Sequence, residues 1–187
     1  MKRLCLAVIL LTGWSGGAGA ASWSVDAANS RLGFAGSLAG DGFEGGFGRW
    51  HAEIAFDAAD PAAGRVVVVI EMASAATGDR QKDEALPGAD WFDVAAHPEA
   101  RFEAANFRAV GDHAYEAVGT LTLRGVSKPV TVPFRFEESG GTGHFQGRIE
   151  LDRTLFGVGQ GAWSSGRFVA TAVTVSFDLA ATRAGGP

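Results

Sequence analysis

Cysteine is almost absent from this chain of 187 residues: Cys5 stands alone. It lies inside an N-terminal apolar run, so the rest of the chain has no disulfide framework and no thiol for metal binding or catalysis. Long hydrophobic runs are missing too, since no later segment approaches the roughly 20 continuous apolar residues of a membrane-spanning helix. Positive charge is in deficit. Lys and Arg number 16 against 21 Asp and Glu, a formal net charge of −5, which excludes the basic stripe that a nucleic acid requires. No basic amphipathic helix is offered to an anionic lipid surface either.

Recognisable catalytic spacing is also lacking. His51, His97, His113 and His144 occur singly, without H-x-x-x-H or H-E-x-x-H, so only a site assembled from distant strands would use them. His51 and His144 fall on the polar parity of their segments, which suits exposed side chains. Ser164 and Ser165 have neither a G-x-S-x-G elbow nor a neighbouring base. Residues 40–45, GDGFEG, match G-x-G-x-x-G, but an alternating strand follows instead of a helix, so these glycines are expected in a hairpin connection. Asp79, Arg80, Lys82, Asp83 and Glu84 form a compact charged stretch; an acid–base pair there is the alternative to a solvated face.

What is present begins with Met1-Lys2-Arg3, an apolar run over 4–12 and Ala18-Gly19-Ala20. A basic start, a short apolar run and a small-x-small site make a secretory signal peptide, with an uncleaved anchor as the alternative. Residues 1–20 are therefore expected to be removed and 21–187 to form one exported domain with 14 basic and 21 acidic residues, net −7. That length is ample for a single core.

Alternation dominates this domain. In GTLTLRGVSKPVTVPFRF, residues 119–136, Leu121 and Leu123 alternate with threonines, and Val130, Val132, Phe134 and Phe136 alternate with Thr131, Pro133 and Arg135. Successive strand side chains point to opposite faces, so this is a pair of half-buried antiparallel strands, with residues 125–129 as the connection. Pro133 has no N–H and is expected at an edge, bulge or strand end. Further strands are predicted over 31–38, 50–56, 65–73, 101–109 with a bulge near Ala105-Asn106, 115–123, 145–151 and 169–179. Residues 74–98 lack β-branched runs and hold Trp91, Phe92 and Val94, so they are expected to cross over with two short helical turns. The result is an all-β fold of about eight strands, a closed antiparallel barrel or a sandwich, and barrel closure is favoured because it leaves the long last strand no free edge.

Three motifs, residues 119–132, Asp90-Trp-Phe-Asp with His97-Pro-Glu-Ala-Arg-Phe102, and Asp152-Arg-Thr-Leu-Phe156-Gly-Val, resemble the YceI-like family over nearly the whole exported domain, 23–181. The resemblance implies a periplasmic, non-catalytic protein with an eight-stranded antiparallel lipocalin-like barrel. A helical crossover would lie between strands 3 and 4, and an apolar tunnel would take a polyisoprenoid, isoprenoid quinone or fatty-acid derivative. The chain departs from the family at Ala85-Leu86-Pro87-Gly88, where members often carry His-Leu. Gln160-Gly161-Ala162-Trp163 resembles a subgroup linked to a membrane cytochrome partner.

On this basis the ligand-lining candidates are Phe34, Trp50, Phe102, Leu121, Phe134 and Val175, on the apolar parity of their strands, with Trp91, Phe92, Phe156 and Trp163 closing the ends. Arg80 and Arg153 are candidates for the ligand's head group. No metal or tightly held cofactor is expected, and the partner is a long-chain amphiphile, with the protein a monomer or homodimer. Two alternatives stay open. An eight-stranded barrel can be filled by its own side chains and serve as an accessory module for a membrane partner, and a bound quinone could support electron transfer.

Overall fold

The computed structural model describes residues 20–184; the expected signal peptide, residues 1–19 in particular, lies outside the described residues. Among the described residues eleven strands form one antiparallel sheet: β1 (Ser22–Val25), β2 (Arg31–Leu38), β3 (Asp41–Phe47), β4 (Trp50–Ala55), β5 (Arg65–Glu71), β6 (Ala75–Ala76), β7 (Glu99–Gly111), β8 (Ala114–Leu123), β9 (Val126–Ser139), β10 (Thr142–Asp152) and β11 (Ala172–Arg183). β1, β4, β5 and β7 to β11 pair in that order and close through β1–β11, giving an eight-stranded barrel. β2, β3 and β6 continue β1, β4 and β5 past local breaks at one end, so the three interrupted strands count once each around the barrel. The helix α1 (Arg80–Ala85) lies between the third and fourth of these strands, as predicted. The second helical turn expected near Trp91 is a series of turns instead.

Turn chemistry sets the register. Ala39-Gly40, Arg124-Gly125 and Gly140-Gly141 all have positive φ, the left-handed pair that matches strand twist in a two-residue hairpin. Residues 40–45, expected in a hairpin connection, instead supply only Gly40 to the turn, and Asp41–Phe47 is strand β3, running from the Ala39-Gly40 turn back along β2. Its glycines make room for rings, because a Cβ on Gly45 would overlap Phe34 Cζ. The expected connection over 125–129 shrinks to two residues, which puts Val126 to Pro129 in the ladder opposite Thr120 to Leu123. The bulge falls between Ala104 and Asn106. Pro133 sits next to the last β9–β10 pair, Phe134↔Gly147, where its missing N–H breaks no ladder bond.

Two apolar clusters occupy the barrel. The first surrounds Phe56, which is fully buried, with Tyr115, Phe136 and Phe134 rings edge-on at 5.0, 5.1 and 5.4 Å. Trp23 packs beside them and its indole N–H donates to the Phe56 carbonyl at 2.9 Å. The second gathers Phe34, Ile70, Met72, Phe92, Phe156 and Val158 beneath the crossover and the loop after β10.

Candidate functional site: an apolar cavity between two closed ends

Between the two clusters lies a cavity of about 190 Å³ whose every lining residue is apolar. Inward alternation produces this directly: Val66, Val68 and Ile70 of β5, Leu121 and Leu123 of β8, Val130, Val132 and Phe134 of β9, and Val175, Phe177 and Leu179 of β11 all point inside. Among the described residues no polar side chain lines the space, so it is of the dry kind that accepts hydrocarbon. Of the candidates, Trp50, Phe102, Leu121, Phe134 and Val175 line it. Phe34 does not. It packs in the second cluster against Phe47, ring centroids 5.2 Å apart.

Trp91, Phe92, Phe156 and Trp163 come together at one end only, the end covered by the crossover and the loop after β10. Phe92 and Phe156 are buried in the second cluster, while Trp91 and Trp163 meet at 5.8 Å above it. The opposite end is closed by the cluster around Phe56. Phe56 ends the strand predicted over 50–56, and nothing in its local sequence signals that seven aromatic side chains, its own included, converge there.

Arg153 has a different role from the one expected. It is 4% exposed and its guanidinium donates to four backbone carbonyls: Nε to Ala170 at 2.9 Å, Nη1 to Val158 at 2.6 Å, and Nη2 to Trp163 at 2.5 Å and Val169 at 2.8 Å. Its Cζ also lies 5.5 Å from the centre of the Trp91 ring. Burial pushes its pKa below the usual arginine value, with Asp152 opposing. Four of its five N–H donors are spent on shaping the loop, and the side chain is buried within it, so Arg153 acts as a structural tie. Arg124 completes the same closure, donating from Nη1 to Gly157 O at 3.0 Å and from Nη2 to Ala89 O at 2.6 Å, and so ties the β8–β9 turn to both covering segments.

Arg80 is displaced from the site as well. Its side chain is 91% exposed on α1 and faces Glu84 at 3.4 Å. The charged stretch around it is a helix-capping device. Asp79 accepts from the N–H of Gln81 and Lys82 and from Lys82 Nζ at 2.7 Å, and Asp83 accepts from Thr77 N, Thr77 Oγ1 and Gly78 N. The Lys82 ammonium chiefly lowers the Asp79 pKa, and the Thr77 N–H chiefly lowers that of Asp83. His144 bonds Asp178 at 2.6 Å on the exterior, and among the described residues no group of three or more His, Cys, Asp and Glu is arranged to hold a metal.

The arrangement matches known proteins throughout. The family described as YceI-like domain matches residues 23–181. UPF0312 proteins of Pseudomonas syringae pv. tomato and Yersinia pestis are 34% and 38% identical over 96 residues, covering 51% of this chain and 50% of each relative. The chain thus spans about half the length of the curated relatives it matches. Burkholderia cenocepacia BcnA superposes with a TM-score of 0.83 at 33% identity, over 85% of this chain and 100% of that one. A polyisoprenoid binding domain from Saccharophagus degradans, implicated in plant cell wall breakdown, shares the fold at TM-score 0.69 and 18% identity, covering 88% and 99%. With a family match that runs from β1 to β11 and takes in every wall of the cavity, the chain belongs to the YceI-like family.

Proposed function

We propose that this protein is an exported, periplasmic, non-catalytic carrier that holds the apolar chain of an amphiphile, a polyisoprenoid, isoprenoid quinone or fatty-acid derivative, inside its barrel. The observation that carries this reading is the wholly apolar cavity between the two closed ends. The polyisoprenoid binding domain of Saccharophagus degradans, alike in fold, supports the ligand class. Export rests on the N-terminal layout of residues 1–20.

Size bounds the fit. A cavity of about 150 Å³ accepts benzene, so 190 Å³ takes about eight carbons as it stands. At roughly 0.8 kcal/mol per buried CH₂ those carbons supply about 6 kcal/mol before association costs, so tighter binding requires either wall movement or a second contact outside the cavity. Native mass spectrometry of the protein purified from its exported fraction, followed by organic extraction, tests the reading. A bound mass of several hundred daltons that disappears in Phe102→Trp or Phe134→Trp supports it. A clean apo mass with no uptake of added quinone, polyprenyl phosphate or fatty amide overturns it.

A second reading is favoured by Leu155 and Phe168, 58% and 47% exposed on the loop that carries Trp163. That apolar loop suits docking to a membrane cytochrome-type partner, and crosslinking from Phe168 without extractable lipid would select this alternative.

A further inference from the structure

One charged side chain interrupts the apolar inner wall beside the cavity. Lys128 is the cross-strand partner of Leu121, which lines the cavity, and partners across a ladder share a face. Its outward neighbours confirm the parity, because Ser127 Oγ and Thr122 Oγ1 bond each other at 2.8 Å on the exterior. The inner row of β9 thus reads Val126, Lys128, Val130, Val132, Phe134, Phe136. Among the described residues of the eight barrel strands, the other charged groups on inward rows are Asp41, exposed at the β2–β3 hairpin, and Glu138 and Arg183. Glu138 and Arg183 pair at 2.7 Å. Lys128 is half-buried and has neither an ion pair nor a hydrogen bond among the described residues.

The ladder is also unpaired at this point. The β9–β10 ladder ends at Phe134↔Gly147, leaving β9 from Val126 to Pro133 and β10 from Arg148 to Asp152 without pairing across. Five residues of strand span about 17 Å. Val130 and Val132 on one rim and Ile149 and Leu151 on the other all line the cavity, so the hollow reaches both edges of this window. Its far side is bridged by the Arg124 bond to Gly157 O.

We infer that Lys128, in the β9–β10 window, is the site for the anionic head group of the amphiphile whose chain fills the cavity. The inference rests on the carrier reading above and adds the chemistry of the ligand's polar end, a carboxylate or a phosphate. An ammonium on a flexible stem gives a charge-assisted hydrogen bond to either anion, while the stem packs along the apolar rim. It also answers the size limit, because a chain threaded through the window need not fit entirely within 190 Å³.

The test uses cis-parinaric acid and its methyl ester as fluorescent probes, with farnesyl phosphate and farnesol as competitors, on wild type, Lys128→Met and Lys128→Arg. Wild type is expected to bind the acid at least tenfold tighter than the ester, with a preference that declines as salt rises. Lys128→Met is expected to weaken the acid by about ten- to a hundredfold and to change the ester by less than about threefold, and Lys128→Arg to retain the preference. Farnesyl phosphate outcompeting the acid identifies a phosphate; the reverse identifies a carboxylate. An acid preference that survives Lys128→Met, or acid and ester weakening together, overturns the head-group assignment and leaves the carrier reading standing. Wild type that takes up neither acid nor ester, nor farnesol, overturns both.

Discussion

Replacing Ala117 by Phe grafts a six-carbon ring onto a β8 side chain that is 3% exposed and lines the cavity. The ring is benzene-sized, so it claims about 150 of the 190 Å³ and leaves room for one or two carbons. A ligand then loses about 5 kcal/mol of transfer energy, more than a thousandfold in affinity. Stability moves the other way. Filling 150 Å³ at about 24 cal/mol per Å³ returns up to about 3.6 kcal/mol, from which about 1–3 kcal/mol of overpacking strain is subtracted. The expected variant is therefore as stable as wild type or up to about 3 kcal/mol more stable, with its binding abolished. Urea denaturation and cis-parinaric acid titration on the same preparation check this. Wild-type affinity in a folded Ala117→Phe protein would refute the cavity as the binding site.

Arg153→Met strips two buried and two part-buried carbonyls of their donor, and at about 1–3 kcal/mol for each of the two buried acceptors left unmet the expected loss is about 2–6 kcal/mol, a fall of at least about 4–8 °C in Tm by calorimetry. The crossover should respond to acid. Asp79 and Asp83 have pKa values held below the ordinary 3.8, so their stabilisation is complete above that value and is lost only as pH falls through the lower folded values. The protection of amides across residues 77–85, measured relative to their intrinsic exchange at each pH, is therefore expected to hold down to about pH 4 and to fall below it, whereas Asp83→Asn should already have lower protection at neutral pH.

Most of the barrel was legible because its strands are half-buried, and burial on one face writes itself as alternation. Leu121, Phe134 and Val175 were placed correctly by parity alone. Parity failed where turns departed from expectation. Arg124 adopts φ 49, a left-handed conformation unusual for a side chain of its kind, so the β8–β9 turn begins one residue earlier than Gly125 suggests. Reading 125–129 as connection hid Lys128, whose position in the inner row appears only once the hairpin is tightened to two residues. Glycine misled in the same way at 41–47, since its usual meaning is a turn and here it is clearance for Phe34. Arg153 shows a different limit. Its neighbours in sequence, Asp152 and Thr154, say nothing of Ala170, Val158, Trp163 and Val169, which reach it through the fold of the loop.

The measurement that bears most directly on the carrier account is calorimetric titration with a series of straight-chain fatty acids from four to sixteen carbons. Affinity is expected to rise about fourfold per methylene, the equivalent of about 0.8 kcal/mol, up to about eight carbons within the 190 Å³ cavity, and to level off beyond as the chain emerges through the window. Affinity that stays flat from the shortest chain onward would contradict burial of the chain and return the barrel to a filled scaffold.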